Sequence, residues 1–116
     1  MINIVYLYKE SSVINSFLER QIKKANLEGC TLSRYTIENV PVSIEILGVN
    51  CFHTIIFFDS FGDELLRIIG PFSSEQLEEG ISDARKILEE RAAGVFIWFM
   101  YYLEKLALEK QPSYKH

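Results

Sequence analysis

Cysteine is scarce in this chain, with Cys30 and Cys51 the only two among 116 residues. Two thiols make no disulfide framework, so a reducing, intracellular (cytoplasmic) setting is the expectation. Basic clusters are missing as well. Lys and Arg number 12 against 16 Asp and Glu, a net charge of −4, and without a basic footprint nucleic acid is not an expected partner. Histidine is as scarce: of His53 and His116 only His53 is internal, and with two cysteines on separate elements it offers no metal-ligand spacing. Neither metal nor cofactor is expected. Phosphate-loop, nucleophile-elbow and metalloprotease patterns are absent too. Lys9 and Glu10 break the apolar start after eight residues, too early for a secretory signal.

What remains is an ordinary globular balance, 48% hydrophobic and 24% charged, enough for one core. Ile2 to Tyr8 is an apolar run rich in β-branched and aromatic residues, hence a buried strand. Ser11 and Ser12 offer an N-cap to a helix whose apolar face is Val13, Ile14, Phe17, Leu18, Ile22 and Ala25, closed by Gly29. Residues 31–37 read as a second strand, and Pro41 opens a short helix over 41–47. Thr54 to Phe58 is uninterrupted and apolar, as a central strand should be. A hairpin turn at 59–63, with Gly62 free for positive φ, leads into a fourth strand from Glu64 to Ile69. Asp59, Asp63 and Glu64 there read as a solvated turn. Ser73 and Gln76 form a capping box for a helix with inward face Leu77, Ile81, Ala84 and Leu88, in which Gly80 is a weak point.

The order is β-α-β-α-β-β-α plus one more helix, an α/β protein with a mixed four-stranded sheet and helices on both faces. That order is the thioredoxin core, and one stretch resembles the family in sequence. Gly48-Val49-Asn50-Cys51-Phe52-His53-Thr54 is similar to the family segment G-V-x-x-I-P-T, followed by Ile55 to Asp59, Gly62, Glu64, Arg67 and Gly70 at the family's spacings. The resemblance implies a thioredoxin-like fold over about residues 2–90.

It also shows what is gone. Thioredoxins carry C-x-x-C at the start of the first helix, where the helix terminus stabilises a thiolate. Here Ser11 takes the nucleophile position and Ile14 the resolving one. The preceding tryptophan is missing, and Val5 and Tyr6 hold the candidate positions of the buried aspartate. Disulfide reduction through a cysteine pair is therefore excluded. His53 stands where the family has its cis-proline. Because a cis bond before a non-proline residue costs about 2.5–4 kcal/mol, the Phe52–His53 bond is expected to be trans. Cys51, His53, Ser11 and Ser12 converge on one end of the sheet as the candidate catalytic cluster. Its chemistry would be that of a single-cysteine thiol-disulfide oxidoreductase, or of a glutathione- or peptide-binding domain. The plainer reading is a half-buried cysteine beside a histidine filling the proline's space.

The surplus feature is the last helix, expected from about Ala92 to Lys110 and followed by a polar tail over 111–116. Five aromatics fall within residues 96–102, and no polar face appears before Glu104. The uncharged run 92–103 is shorter than the roughly 20 residues that span a bilayer, so no membrane partner is expected. Internal packing and an interfacial membrane helix are open, but a homo-oligomer or partner interface through Val95, Phe96, Trp98, Phe99, Tyr102 and Leu103 is favoured. The chain thus divides into a core over 1–90, the helix over 91–110 and the tail. The expected function is non-catalytic protein–protein association, as a homodimer.

Overall fold

The structure, a computed structural model, describes residues 1–39, 48–49 and 52–109. Strand β1 (Ile2–Tyr8) lies inside a four-stranded sheet of order β2-β1-β3-β4. β2 (Cys30–Thr36) runs parallel to β1, from Ile2 opposite Cys30 to Tyr8 opposite Thr36. β3 (Thr54–Phe58) is antiparallel to β1, with Asn3 opposite Phe58 and Leu7 opposite Thr54. β4 (Glu64–Ile69) completes an antiparallel hairpin with β3. The register slips at Phe57/Phe58, so that Phe57 faces Leu66 and Phe58 faces Glu64 across a bulge. A 3-10 turn (Ile37–Asn39) follows β2, and the helices are α1 (Asn15–Lys24) and α2 (Ser74–Glu109).

Period-two alternation sorts the side chains of β1 and β3 onto the two faces of the sheet. Ile2, Ile4, Tyr6, Ile55 and Phe57 point to one face, where Leu18 and Ile22 of α1 and Leu77, Ile81 and Ala84 of α2 cover them. Both described helices therefore pack on the same face. Val5, Leu7, Ile56 and Phe58 point to the other, against Tyr35, Val49 and Phe52. The helix expected over 41–47 lies outside the described residues. Every residue of β3 is buried, which is why its sequence is apolar without alternation.

The start of α2 and one close approach set the geometry of this layer. The capping box forms, Gln76 Oε1 accepting from the Ser73 N–H at 2.8 Å and Ser73 Oγ from the Gln76 N–H at 3.1 Å. Buried Gln21 of α1 reaches across, and its Oε1 accepts from the Ser74 N–H at 2.9 Å. Gly80 then lets α2 lie directly on β3, since a Cβ there would sit 2.7 Å from Phe57 Cζ. Its role is close packing, where the sequence suggested only a weakened helix.

Three expectations change. α1 ends at Lys24, with Ala25 as C-cap in extended backbone, and Gly29 instead takes φ +76° in the turn before β2. Asp59 is buried, not solvated: its Oδ1 accepts from the N–H groups of Phe61 and Asp63 at 2.8 and 2.9 Å and organises the hairpin turn. No break separates the capping-box helix from the one expected at Ala92. α2 is a single helix of 36 residues. Neither a proline nor an αL cap interrupts residues 89–93, and Gly94 alone does not stop a helix.

Among the described residues, nothing on α2 from 85 to 108 is buried. The outer half therefore projects past the sheet as an arm, and the molecule measures 78 × 29 × 18 Å. Its radius of gyration is 20.5 Å, against about 13 Å for a compact domain near this size.

Candidate functional site

The candidate cluster is built where β1 runs out. After Tyr8 the chain turns tightly, the Ser12 N–H donating to the Lys9 carbonyl at 3.2 Å and the Asn15 N–H to the Ser12 carbonyl at 3.3 Å. The Asn15 side chain reaches back, its Nδ2 donating to the carbonyls of Lys9 and Glu10 at 2.8 and 3.0 Å. Those two bonds fix the amide, and Oδ1 is left facing His53 Nε2 at 2.8 Å. An amide oxygen only accepts, so Nε2 carries the proton and Nδ1 is the basic nitrogen of the neutral ring. The imidazole is buried and stacked on Tyr6 at a centroid distance of 6.2 Å. Burial pulls its pKa below the ordinary histidine value, so the ring is neutral at pH 7.

The Phe52–His53 bond is cis, which overturns the expected trans bond. That expectation considered the isolated peptide alone. In the fold the His53 carbonyl accepts from the Gly70 N–H at 2.8 Å, and the ring is held by Asn15. These contacts come from the residue that follows β4 and from α1, and no local preference contains them.

The serines play a smaller part than expected. Ser11 is exposed. Ser12 Oγ accepts from the Ile14 N–H at 3.4 Å, and the N-cap of α1 is Ile14, without a side-chain cap. Asn15 ties down the turn that a capping serine was expected to hold. Among the described residues, His53 is joined to Asn15 and to neither serine. Cys51 lies outside the described residues. Cys30 is a free cysteine at the far end of β2, its Sγ 3.8 Å from the Glu28 carbonyl. Burial pushes that thiol up, with Arg85 opposing, so it is protonated at neutral pH and no nucleophile. No group of three or more His, Cys, Asp or Glu able to hold a metal occurs among the described residues.

Two members of this region were not singled out from sequence as site residues. Asn15 is one polar residue among several at a helix start, and its partner is 38 positions away. Tyr6 is 1% exposed, and its hydroxyl has no hydrogen-bond partner among the described residues. Burial, with the Glu19 carboxylate second, holds that phenol above its ordinary pKa. A neutral imidazole, a mute phenol and two serine hydroxyls can position a backbone, but they include no activated nucleophile.

The arm contrasts with this closed corner. Val95, Phe96, Trp98, Phe99, Tyr102 and Leu103 are 67, 63, 63, 49, 45 and 42% exposed, and Ile97, Met100 and Tyr101 between them are exposed as well. Trp98 and Tyr102 stack at 5.6 Å along the helix, one turn apart. The sequence left open whether this helix packs internally. The arm does not pack on its own core. No helix of the described residues is long and apolar enough to cross a membrane.

No family model matches the chain, and no curated protein does. Solved structures do. A thioredoxin mutant from Halobacterium salinarum superposes at TM-score 0.62 with 14% identity, covering 72% of this chain and 74% of that one. Thioredoxin-2, a component of the malaria parasite's protein secretion machinery, gives 0.59 with 16% identity over 71 and 82% of the two chains. Thioredoxin O2 of Arabidopsis thaliana gives 0.55 with 18% identity over 71 and 73%. With a mixed sheet of order β2-β1-β3-β4 and two helices on one face, these likenesses establish the architecture: the chain has the thioredoxin-like fold.

Proposed function

We propose that this chain is a non-catalytic thioredoxin-fold protein that works by protein–protein association, as a homodimer joined through the outer half of α2. The observation that carries the reading is the uncovered arm, on which every residue from 95 to 103 is 42–67% exposed. Five aromatics at 150–250 Å² each, about half exposed, and four aliphatic side chains present on the order of 1,000 Å² of apolar surface. The largest patch on a typical monomer is about 300–600 Å², and a stable interface takes about 800 Å² from each partner. The absence of catalysis is supported by Ser11 and Ile14 where the resembling family has its cysteines, since a serine cannot form a disulfide. A reducing cytoplasmic setting goes with this reading, because a free Cys30 persists there.

Gel filtration with light scattering tests it. The wild type should run at twice the 13.5 kDa of one chain, and Phe99→Asp should return it to one, with its far-ultraviolet dichroism kept. A wild type at single-chain mass overturns the proposal. A second reading, thiol transfer by Cys51, is favoured by the neutral imidazole of His53 two residues on. A Cys51 pKa at the ordinary value of about 8.5 would remove it.

A further inference from the structure

The inward stripe of α2 does not stop where the sheet stops. Leu77, Ile81 and Ala84 are buried against the strands, and Leu88 is half-buried at the edge. The same stripe continues outward as Ala92, Val95, Phe99, Tyr102 and Leu106. From Leu88 to Leu106 these positions alternate by four and three residues, the spacing of a left-handed coiled-coil seam. None of the six is charged, over about 27 Å of helix. The opposite face carries Glu90 and Glu104, with Ile97 and Tyr101 between them. A lipid surface would have to accept those charges, whereas a second helix need cover only the seam. Where the seam leaves the sheet it forms a groove of about 520 Å³, lined by Leu88, Ala92, Val95, Phe96, Phe99 and Phe61 of the hairpin turn. Phe61 is 92% exposed and has no packing role in its own core.

We infer that the occupant is the arm of a second copy, running antiparallel about a two-fold axis. This rests on the association proposed above and adds its geometry. Side-chain size chooses the direction. Antiparallel, Ala92 faces the partner's Tyr102, Val95 faces the partner's Phe99, and Leu88 faces the partner's Leu106, so each large group meets a smaller or equal one. Parallel, Ala92 would face its own copy across a void while Phe99 and Tyr102 collided with theirs. The antiparallel register also carries the tip of each arm back to Leu88, into the groove beside Phe61, so the overhang of one chain fills the space where the other's sheet ends. The one flanking pair of like charge, Arg91 with the partner's Lys105, is balanced by Asp59 at 4.0 Å from Arg91. The two-fold closes the interface, and no further chain can add to the seam.

Cysteine cross-linking decides it. In a background with Cys30→Ser and Cys51→Ser, Leu88→Cys and Leu106→Cys are made separately and oxidised alone and as a mixture, with light scattering on the reduced proteins. The inference expects covalent dimer from the mixture and none from either variant alone. Self-linking of either variant alone means parallel arms, and a dimer by mass without any link means another contact. Both overturn the geometry while leaving association intact. A single-chain mass for the unlinked proteins and the wild type overturns both proposals, and co-sedimentation of that monomer with phosphatidylcholine–phosphatidylserine vesicles would assign the arm to lipid. Phe61→Glu should raise the dimer dissociation constant about tenfold or more without altering the melting of the isolated chain. An unchanged constant removes Phe61 from the interface and with it the seating of the tip.

Discussion

Replacing Gly80 with alanine pits helix propensity against packing, and the structure says which wins. In a solvated helix the change is favourable by about 1 kcal/mol, because glycine is the more flexible residue in the unfolded chain. At Gly80 the new methyl would lie 2.7 Å from Phe57 Cζ and 3.0 Å from Cε2. Carbon atoms in contact prefer about 3.5–4.0 Å, so the overlap approaches 1 Å. Phe57 is 0% exposed on a fully buried strand and has nowhere to turn, while α2 is fixed at its start by Gln21 and the capping box. Overpacking of this kind costs about 1–3 kcal/mol. Offset by the propensity gain, the net expectation is a loss of up to about 2 kcal/mol, or a melting temperature lower by up to roughly 10 °C. Gly94→Ala is the internal control, since a Cβ there meets nothing within 4 Å and should be neutral or stabilising. Thermal and urea unfolding of the two variants compare directly. If Gly80→Ala stabilises as Gly94→Ala does, α2 does not lie on Phe57 and the packing of the arm's base is wrong.

Three further outcomes follow from the buried polar groups. Tyr6→Phe removes a hydroxyl with no partner among the described residues, so urea unfolding should show a gain of up to about 1 kcal/mol; a loss of that size would mean the hydroxyl is bonded. Gln21→Leu leaves the Ser74 N–H without its acceptor and should cost about 1 kcal/mol, whereas an unchanged midpoint would show that α2 is capped well enough by Ser73. His53 is held neutral in the fold, its pKa below the ordinary 6.5. The folded state therefore binds fewer protons than the unfolded one. Stability is full above pH 6.5 and falls on acidification below it, by at most about 1.4 kcal/mol per pH unit. His53→Gln should flatten that slope between pH 7 and 5, and an unflattened slope would place the titration elsewhere.

The strands were legible because their causes are local. The bounds of β1, β3 and β4 follow from mainly apolar stretches ended by Lys9, Asp59 and Gly70, and the Ser73/Gln76 box forms both of its bonds. What stayed hidden depends on contacts distant in sequence. Asn15 matters because His53 arrives beside it, and the cis Phe52–His53 bond sits among contacts from α1 and from the residue that follows β4. Gly80 looked like a flaw until Phe57 was placed under it. A separate helix was expected from about Ala92, yet backbone continuity depends on caps and prolines, and none stands there. The all-round apolar character of the arm was plain from sequence. Its lack of a cover was not, because a buried helix and an uncovered one have the same composition.

A thioredoxin-like core that carries an uncovered aromatic arm on its last helix is, as proposed above, an association module. Sedimentation equilibrium of the unmodified chain at micromolar concentrations tests that claim most directly, with Trp98 emission read alongside because it is the one tryptophan. Association through the arm gives a mass of twice 13.5 kDa, falling on dilution together with a red shift as Trp98 returns to water. A 13.5 kDa species at every concentration, with emission unchanged throughout, would contradict it.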